Sequence, residues 1–525
     1  MKNKQFLIAI VAVITVITAC KKDLEYDSSP ARLFRPVANM PLAVDSNKIL
    51  ATWLQLKGVA SYTIQLSKDT FKTVLRTVNL GDTGAYIFRD LEWFKQYQVQ
   101  VRANASDTAY NSKWSYLGSI KTAPFPTILK TPGISDITEE AVKVSWTTDG
   151  APVTSIKILK RSDSTVVQTV TLTPTDVTNQ FRIVNGLASA TGYIIYLYSG
   201  TSVRGWVDFD TKAPMTGSLI DLRGITGRPS VLSDTIPLIA SGSTVILKRG
   251  ETYTIASAIN LSKSIKIVSG SDLSVPGQAI ISMPANFNIT AGSTIDYLIF
   301  EDVTLRGTDY TAKYVFNINT ACNIGQMSFL SCKAEIFRGV VRTQTSTAAI
   351  TNFLVDNCIL DSLAGYGVLT IDVNTSKVDN IIIKNSTIYK AEKIIVSKNN
   401  STSVLIENCT VNEAVTNSSY YVDYNTSPTN VVASGITINN CIFGIGKLTA
   451  TGPATVRGVR SATAPTGSNN FRTNDQVSGG NDVPSLTTYA RPVTQLFIDA
   501  ANANFKIADV TFPGRSSSGD PRWRL

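Results

Sequence analysis

Short runs of alternating apolar and polar residues dominate the chain between residues 300 and 443, and each run is broken by one small residue. Alternation of period two predicts β-strands. A small polar residue between two runs predicts a tight corner, because Asn in particular tolerates left-handed backbone angles. Six copies of this pattern follow one another at spacings of about 23 to 32 residues, at 300–305, 329–334, 355–360, 383–388, 406–411 and 438–443.

The length of the repeat predicts a parallel β-helix, in which each copy belongs to one coil and successive coils stack. Stacking would place the corner Asn side chains of neighbouring coils in a ladder. Cysteine follows the corner in four of the six copies. An inward-facing position suits it there, because free cysteine is among the most buried residue types.

The same spacing argues against chemistry at the cysteines. Zinc sites need thiolates or histidines at short spacing, whereas these cysteines are whole coils apart and the chain has no histidine. Side chains stacked in parallel point alike, and five cysteines outside the leader is an odd number, so disulfides are not expected. Without a histidine base, Ser and Cys catalytic triads are excluded as well.

The N-terminus has the pattern of an export signal. Lys2 and Lys4 precede an apolar run that closes on a small-residue cleavage pattern ending in Cys20, which resembles a lipoprotein signal. We expect a signal peptide over 1–19, lipidation of Cys20 and a tether over 20–32. The charged start of the tether resembles the export tail of surface lipoproteins of Gram-negative glycan degraders. The resemblance predicts a lipid-anchored protein of the outer membrane, exposed at the cell surface.

Two segments of sandwich size follow the tether, at 33–124 and 125–214. Each has a Trp on an early strand and a Tyr a few residues after a Leu, which is the spacing of a tyrosine corner. The residues that carry this pattern are Trp53, Tyr97, Trp146 and Tyr193. Both segments resemble fibronectin type III domains, and these motifs are packing signatures that imply no chemistry. We expect the two Trp residues and Tyr193 in the cores, whereas the pattern leaves Trp114 and Trp206 open.

The strand pattern of the repeat begins at 243–255 and 265–270, where it resembles the opening coils of pectate-lyase-like proteins. We therefore expect an all-β chain, with two fibronectin type III-like sandwiches followed by a right-handed parallel β-helix over 215–450. The remainder, 451–525, is a Gly-, Ser- and Thr-rich linker and a capping tail. Its apolar residues near 496 and 505 would dock on the last coil, since an open coil edge invites strand addition.

The order of signal, two modules, coils and a Gly-Asp-Pro-Arg-Trp tail at 519–523 resembles that of surface lipoproteins with the domains of unknown function 4957 and 5123. The coil phrases at 356–358 and 384–387 carry the same resemblance. It implies a pectate-lyase-like fold and a place in polysaccharide utilisation. It transfers no catalytic residue.

Polysaccharide lyases on this fold use an Arg or Lys base against a uronic sugar, typically with Ca²⁺ held by carboxylates. The candidate catalytic residues are Arg338, Arg342 and Lys384, and Asp372 is a candidate substrate ligand about one coil after the arginines. Arg suits a uronate because it matches carboxylates bidentately. The alternative is that these are ordinary strand residues in ion pairs between coils. No dense acidic group lies between residues 300 and 450, so no metal ligand is assigned, and the lack of an Asp-Asp pair disfavours a glycosidase.

Tyrosines of the coils are candidate platforms for sugar rings. Two of them fall in a long insertion between copies, which in solenoids maps to loops on one side. Packing in the core or under loops is the alternative for each. The candidates are Tyr366, Tyr389, Tyr420, Tyr421 and, by position, Tyr424.

Three functions stay open: non-catalytic binding or presentation of acidic polysaccharide, β-elimination of a uronate-containing glycan, and a structural or adhesive role. The formal net charge of +10 fits an acidic glycan or an anionic outer surface. No Lys/Arg cluster suggests nucleic acid. The expected partners are a pectin-like polysaccharide, the membrane through the lipid and outer-membrane glycan-uptake proteins, and the chain is expected to be a monomer. No cofactor is assigned, except Ca²⁺ in the case of a lyase.

Overall fold

The computed structural model describes residues 32–93, 95–123, 127–148, 150–344, 347–424 and 430–524. The predicted signal peptide, the lipidation site Cys20 and most of the tether lie outside the described residues. In the part of the chain that is described, no helix is long and apolar enough to cross a membrane. Two compact units are distinguished, one with residues up to 128 and 201–205, the other with 129–200 and 206 onward.

The first module is a sandwich of antiparallel strands. Numbered in chain order, its strands are β1 Ala38–Asp45, β2 Lys48–Trp53, β3 Ser61–Ser67, β4 Val74–Leu80, β5 Ala85–Phe88, β6 Gln96–Asn104 and β7 Ser115–Lys121. They form sheets of order β1-β2-β5 and β4-β3-β6-β7. Trp53 is buried in the core, as predicted. The Tyr97 hydroxyl accepts a hydrogen bond from the Glu92 backbone N–H at 3.1 Å, which confirms the tyrosine corner.

The second module repeats this plan. Its elements are β8 Ala141–Ser145, β9 Ser155–Lys160, β10 Val166–Thr171, α1 Pro174–Asn179, β11 Phe181–Asn185, β12 Gly192–Ser199 and β13 Ser202–Asp210, with sheets of order β11-β8 and β10-β9-β12-β13. Trp146 is buried, and the Tyr193 hydroxyl accepts a hydrogen bond from the Ala188 N–H at 2.9 Å. Trp206 is 53% exposed, so it does not belong to the core.

A parallel β-helix with three faces follows, as the repeat predicts. The first face is a sheet of ten strands, β14 Leu219–Asp221, β15 Ser243–Leu247, β18 Ile265–Ser269, β21 Thr294–Glu301, β24 Cys322–Leu330, β26 Ala348–Asp356, β28 Lys377–Lys384, β31 Ser403–Glu407, β34 Ile436–Asn439 and β39 Pro465–Ser468. The helix α2 Val231–Thr235 lies in the connection between β14 and β15. All pairings along the sheet are parallel, so residues one coil apart lie side by side.

The second face follows the first after a corner. Its strands are β16 Thr252–Thr254, β19 Ala279–Met283, β22 Val303–Gly307, β25 Lys333–Thr343, β27 Ile359–Ile371, β29 Thr387–Ala391, β32 Thr410–Asn412, β35 Ile442–Phe443, β40 Asn470–Arg472 and β41 Leu486–Thr488. The third face consists of β17 Ile259–Leu261, β20 Phe287–Ile289, β23 Tyr314–Ile318, β30 Ile395–Ser397, β33 Tyr420–Asp423 and β38 Arg457–Arg460. The long strands β25 and β27 bend from the second face into the third.

The first corner has the left-handed geometry that its Asn residues predict. Every copy places one residue there at a φ of 50° to 55°: Asp302, Ser331, Asn357, Asn385, Asn408 and Asn440. The predicted ladder is present where Asn neighbours Asn or a polar side chain. Asn408 Nδ2 donates to Asn385 Oδ1 at 3.1 Å. A seventh copy, unrecognised in the sequence, adds Asn469, whose Nδ2 donates to Asn440 Oδ1 at 2.9 Å.

The cysteines that follow the corner face the core, as predicted. Cys332, Cys358, Cys409 and Cys441 are buried and free, and so is Cys322. Burial raises the pKa of the Cys332 thiol well above its ordinary value, so the thiol stays protonated and behaves as a small apolar group.

The coils continue beyond the predicted end at residue 450. Strands β38, β39, β40 and β41 lie in 457–488, the segment predicted as a linker, and they pair in parallel with the coils before them. The segment Pro465–Ser468 is half-buried or exposed at every position and lacks the apolar alternation of the earlier copies, so the repeat pattern does not predict this strand.

The tail packs along the side of several coils instead of only on the last one, which corrects the predicted cap. The hairpin of β36 Leu448–Thr449 and β37 Gly452–Pro453 precedes the last coils, and the tail after them consists of α3 Val493–Leu496, β42 Phe497–Asp499 and β43 Asn504–Ile507. The aromatic rings of Phe497 and Phe505 form one apolar cluster with Tyr389 and Phe471 of the second face. Short 3₁₀ turns complete the chain at Thr108–Tyr110, Ile134–Asp136, Ala500–Asn502 and Pro521–Trp523.

The last residues of the tail bind the first corner directly. The Asp520 side chain is almost fully buried and accepts a hydrogen bond from Thr387 Oγ1 at 2.7 Å. Arg522 Nη2 donates to Asn357 Oδ1 at 2.8 Å, and the Asp520 N–H donates to Thr410 Oγ1 at 2.9 Å. Asn357 and Thr410 lie two coils apart. The Gly-Asp-Pro-Arg-Trp phrase therefore fastens several coils to one another.

Candidate functional site

The third face brings together four of the residues that the sequence singles out. Arg338 and Arg342 lie on β25, Tyr366 lies on β27, and Asp372 follows β27 directly. The parallel register sets Arg342 beside Thr370, so these side chains belong to adjacent strands about 4.8 Å apart. A spacing of one coil in the sequence thus becomes direct contact.

Asp372 holds two cations of this group. Its Oδ2 accepts from Arg342 Nη2 at 2.5 Å, and its Oδ1 accepts from Lys398 Nζ at 2.8 Å. Burial acts to raise the pKa of Asp372, but the hydrogen bonds from Lys398 and Arg342 outweigh it and leave the pKa below its ordinary value. Asp372 is therefore an anion that orients cations, which makes it a poor direct ligand for an acidic sugar.

Tyr366 is the platform on which both arginines rest. The Arg342 guanidinium carbon lies 3.8 Å from the centre of the Tyr366 ring, and that of Arg338 lies 4.9 Å from it. A Cβ atom at Gly339 would stand 2.7 Å from the Tyr366 Cβ, so glycine is required for the ring to cross β25 here. Cation–π contact keeps the guanidinium planes oriented and still charged.

A second basic cluster lies further along the same face, around Tyr420. Arg457 Nη1 donates to the Tyr420 hydroxyl at 3.0 Å, and the Arg460 guanidinium carbon lies 4.6 Å from the centre of the Tyr420 ring. Arg460 also forms a bidentate pair with Asp423, at 2.7 and 2.8 Å. Tyr420 is only 7% exposed, so it supports the arginines and offers little surface to a sugar.

Lys393 lies between the two clusters. A Cβ at Gly367 would come within 2.0 Å of the Lys393 carbonyl oxygen, which places Lys393 on the next coil after Tyr366. Ile395 pairs with Val422 on the next coil, so Lys393, two residues before Ile395, lies beside Tyr420. We call the resulting surface the basic face; its cations are Arg338, Arg342, Lys393, Lys398, Arg457 and Arg460.

Half of these cations lack a carboxylate partner. Asp372 and Asp423 account for Arg342, Lys398 and Arg460. Within the residues that the structure describes, no carboxylate lies at ion-pair distance from the other three, Arg338, Lys393 and Arg457. The face therefore carries an excess of positive charge that an anion from outside can neutralise.

The basic face is extended along the axis of the solenoid. Arg342 and Arg460 occupy one row of the register, with Thr370, Val396 and Asp423 between them. Four strand spacings separate the two arginines, which is about 19 Å. This length suits a linear polymer with repeated negative charges better than a compact ligand.

Two predicted residues lie elsewhere. Lys384 ends β28 on the first face and pairs with Asp356 at 3.4 Å, so it is an ordinary ion pair between coils and is remote from the basic face. Tyr389 lies on the second face beneath the tail, where its hydroxyl donates to the Ala501 carbonyl at 2.7 Å and its ring packs against Phe505. Docking of the tail, more than a hundred residues later in the chain, removes Tyr389 from solvent.

The insertion tyrosines Tyr421 and Tyr424 are core residues, which corrects their assignment as sugar platforms. Both are buried, and the Tyr421 ring lies 4.8 Å from that of Phe443 inside the solenoid. The strand β33 alternates sides, so Tyr421 points away from the surface to which its neighbour Tyr420 contributes.

A calcium site finds no support in the donor set of the described residues. No group of three or more Asp, Glu, Cys or His side chains is arranged there to hold a metal ion. The carboxylates of the third face are instead engaged by arginine and lysine. No chemical step is therefore assigned to Ca²⁺.

Sequence reasoning missed four cations of the basic face: Lys393, Lys398, Arg457 and Arg460. A signal for Lys398 exists, since it follows Asp372 by 26 residues, which is one coil. Arg457 and Arg460 fall beyond residue 450, where the repeat was expected to have ended. Searching for opposite charges one coil apart finds Lys398, but it misses the pair of Asp423 with Arg460, whose 37-residue separation exceeds the spacing of the other coils.

Comparison with known families agrees with the fold. The model of the domain of unknown function DUF4957 matches residues 251–391, and that of the domain of unknown function DUF5123 matches residues 381–523. Together the two models cover residues 251–523, from β16 to the tail, and this range includes the whole basic face. No curated protein matches the chain.

Among solved structures, the chain is similar to fibronectin type III segments. One is the FN1–FN3 part of chicken CNTN1, at 18% identity over 35% of this chain and 68% of that chain, with a TM-score of 0.16. Another is a two-domain segment from chicken tenascin, at 19% identity over 34% of this chain and 99% of that chain, with a TM-score of 0.21. The sheet topology itself shows a β-rich chain of two antiparallel sandwiches followed by a parallel β-helix.

Proposed function

We propose that this chain, which belongs to the proteins that carry the domains DUF4957 and DUF5123, binds acidic polysaccharide on its basic face without cleaving it. The observation that carries the proposal is a strip of about 19 Å with three cations, Arg338, Lys393 and Arg457, that pair with no carboxylate of the described residues. Carboxylates of a uronate polymer would complete the pairs that the fold leaves open. Among the described tyrosines of the strip, the half-buried Tyr366 is more accessible than the buried Tyr420.

The arrangement favours binding over catalysis. An abstracting base must be able to give up its own proton near neutral pH, and an arginine guanidinium holds its proton there unless it is strongly assisted. Arg342 is fixed by Asp372, and no described carboxylate cluster is available to hold a metal ion. Arg338 is the residue that keeps a lyase as the second candidate, since its guanidinium, held over the Tyr366 ring, pairs with no carboxylate of the described residues.

The test uses the full soluble chain from residue 21 with polygalacturonate and with a neutral galactan of similar length. We expect retarded migration of the protein in gels that contain polygalacturonate, no retardation by the neutral polymer, and no rise in ultraviolet absorbance from unsaturated products, with or without Ca²⁺. Equal retardation by both polymers would contradict charge-based recognition. A sustained rise in absorbance that is lost in Arg338→Ala would replace binding by the lyase function.

We further propose that the chain is held at the outer membrane by lipid on Cys20, with the two modules as a spacer between the membrane and the coils. The motif that ends in Cys20 supports this proposal. Cys20→Ser is expected to move the protein from the membrane fraction to the soluble periplasmic fraction of the producing cell. Protease treatment of intact cells then tests surface exposure. Membrane retention of Cys20→Ser would overturn the lipid anchor.

A further inference from the structure

A groove follows the second corner of the solenoid, where the second face turns into the third. Four successive coils contribute one corner residue each, and all four have left-handed backbone angles: Ile336 at φ 63°, Ser362 at 55°, Lys390 at 53° and Glu413 at 47°. At the first corner the same geometry is met by Asn, Asp and Ser. At the second corner the residue types are unrelated, so the geometry of the turn does not explain them.

Two further segments enclose the groove, and its volume is about 380 Å³. Tyr310, from the connection between β22 and β23, lies on one side, and Lys447 with Leu448 lies on the other. The two sides are tied together by Glu392, since Tyr310 donates to Glu392 Oε1 at 2.6 Å and Lys447 Nζ donates to the Tyr310 hydroxyl at 2.8 Å. The volume falls within the range of small-molecule sites.

Glu413 is the unusual residue of this groove. It is 7% exposed, and its carboxylate lies within electrostatic reach of the Tyr389 hydroxyl and the Lys390 ammonium, although it forms no ion pair with a cation of the described residues. The nearby Tyr389 hydroxyl donates to the Ala501 carbonyl at 2.7 Å, so the tail fixes the position of this tyrosine beside Glu413. Its oxygens are not among the described side-chain atoms that are both buried and without a partner, so the Glu413 carboxylate reaches the solvent of the groove and can accept hydrogen bonds from a ligand there.

Lys390 stands opposite in charge on the adjacent coil. Its ammonium lies 4.6 Å from the centre of the Tyr389 ring, and it has no ion pair with a described carboxylate. Ile336 and Leu448 add exposed apolar surface at the rim, at 37% and 50% exposure. The groove thus combines an acceptor, a cation and an apolar wall, with space between them.

We infer that the corner groove is a second carbohydrate site, which binds a single hexuronate residue. The Lys390 ammonium pairs with the sugar carboxylate, Glu413 accepts hydrogen bonds from ring hydroxyls, and the C–H side of the ring lies on Ile336. A neutral hexose satisfies Glu413 but leaves Lys390 unpaired, so the site selects acidic sugars. The choice of an acidic sugar rests on the proposed function, whereas the site itself is separate from the basic face.

The test is titration of the full chain from residue 21 with monomeric galacturonate and with galactose, followed by ligand-observed NMR and calorimetry. We expect saturable binding of galacturonate at one site and binding of galactose weaker by about tenfold or more. Glu413→Gln and Lys390→Met should each weaken galacturonate binding by about tenfold or more. Lys390→Met keeps the length of a half-buried side chain, so it decides the question if Glu413→Gln fails to fold.

Lys384→Met on the first face is the matched control and should bind galacturonate as the parent does. Unchanged binding in Lys390→Met, or equal affinity for galactose, would overturn the corner site. Loss of polymer binding in variants of Arg338, with galacturonate binding intact, shows the two sites to be independent and supports the inference. If the polymer binds the basic face and galacturonate does not bind at all, the corner site is wrong and the proposed function stands.

Discussion

Replacing Asp302 by alanine is expected to lower the free energy of unfolding of the solenoid by about 3 to 5 kcal/mol. Asp302 and Arg249 are 2% and 6% exposed, and Arg249 Nη1 donates to Asp302 Oδ2 at 2.5 Å. Gln278 Nε2 donates to the other carboxylate oxygen at 3.0 Å. Removing the carboxylate leaves the buried Arg249 guanidinium without its ion-pair partner. The resulting loss of stability is larger than that from breaking an ion pair at the surface. Chemical unfolding followed by circular dichroism measures the change.

Two further variants separate charge from corner geometry. Asp302→Asn retains a side chain suited to φ 54°, as in the Asn corners, but it still leaves Arg249 unpaired, so we expect most of the loss to persist. Asp356→Ala breaks the half-buried pair with Lys384 and the hydrogen bond from Asn385 Nδ2, and it should cost about 1 to 2 kcal/mol. A loss in Asp302→Ala no larger than that of Asp356→Ala would show that the buried pair contributes nothing special.

The first corner shows how far the sequence predicts this fold. Asn357, Asn385, Asn408 and Asn440 recur with the coil, so period and residue type together predict the turn, the ladder and the inward position of the following residue. The pairing of Asp302 with Arg249 follows no period, because Arg249 lies 53 residues earlier and belongs to a coil without the corner motif. The local sequence pattern predicts the geometry that recurs in every coil, but it does not predict contacts that occur only once between two coils.

The sequence predicts the candidate site only where the spacing of its residues matches one coil. Arg338, Arg342 and Asp372 could be placed together because their separations match one coil. Lys393 and Arg457 carry no such signal, since their isolation from carboxylates is a property of the assembled face. Tyr389 was unpredictable for another reason: the tail that buries it is remote in sequence, and the path of that tail along the coils depends on the shape of the apolar cluster it meets.

Loss of the three unpaired cations is expected to weaken polygalacturonate binding by about a hundredfold. The variant is Arg338→Ala, Lys393→Ala and Arg457→Ala combined. Each cation would contribute about 1 kcal/mol, as is usual for exposed or half-buried charge contacts, and three such contacts amount to about 3 kcal/mol. Calorimetry at low and high salt measures the affinity, and the parent should lose more affinity to salt than the variant, because fewer charges remain to be screened.

A matched variant distinguishes the basic face from net charge alone. Lys266→Ala, Lys377→Ala and Lys384→Ala combined also removes three positive charges, but from the first face, where each lysine is paired with a carboxylate. We expect its binding to change by less than about threefold, since long-range steering alone is weak at physiological salt. Equal losses in the two triple variants would mean that polymer binding follows the charge of the whole chain, and the basic face would then have no particular role.

Because the chain has no histidine, binding should also stay level between about pH 5 and pH 9 and fall only as the polymer carboxylates protonate, at about pH 3 to 4.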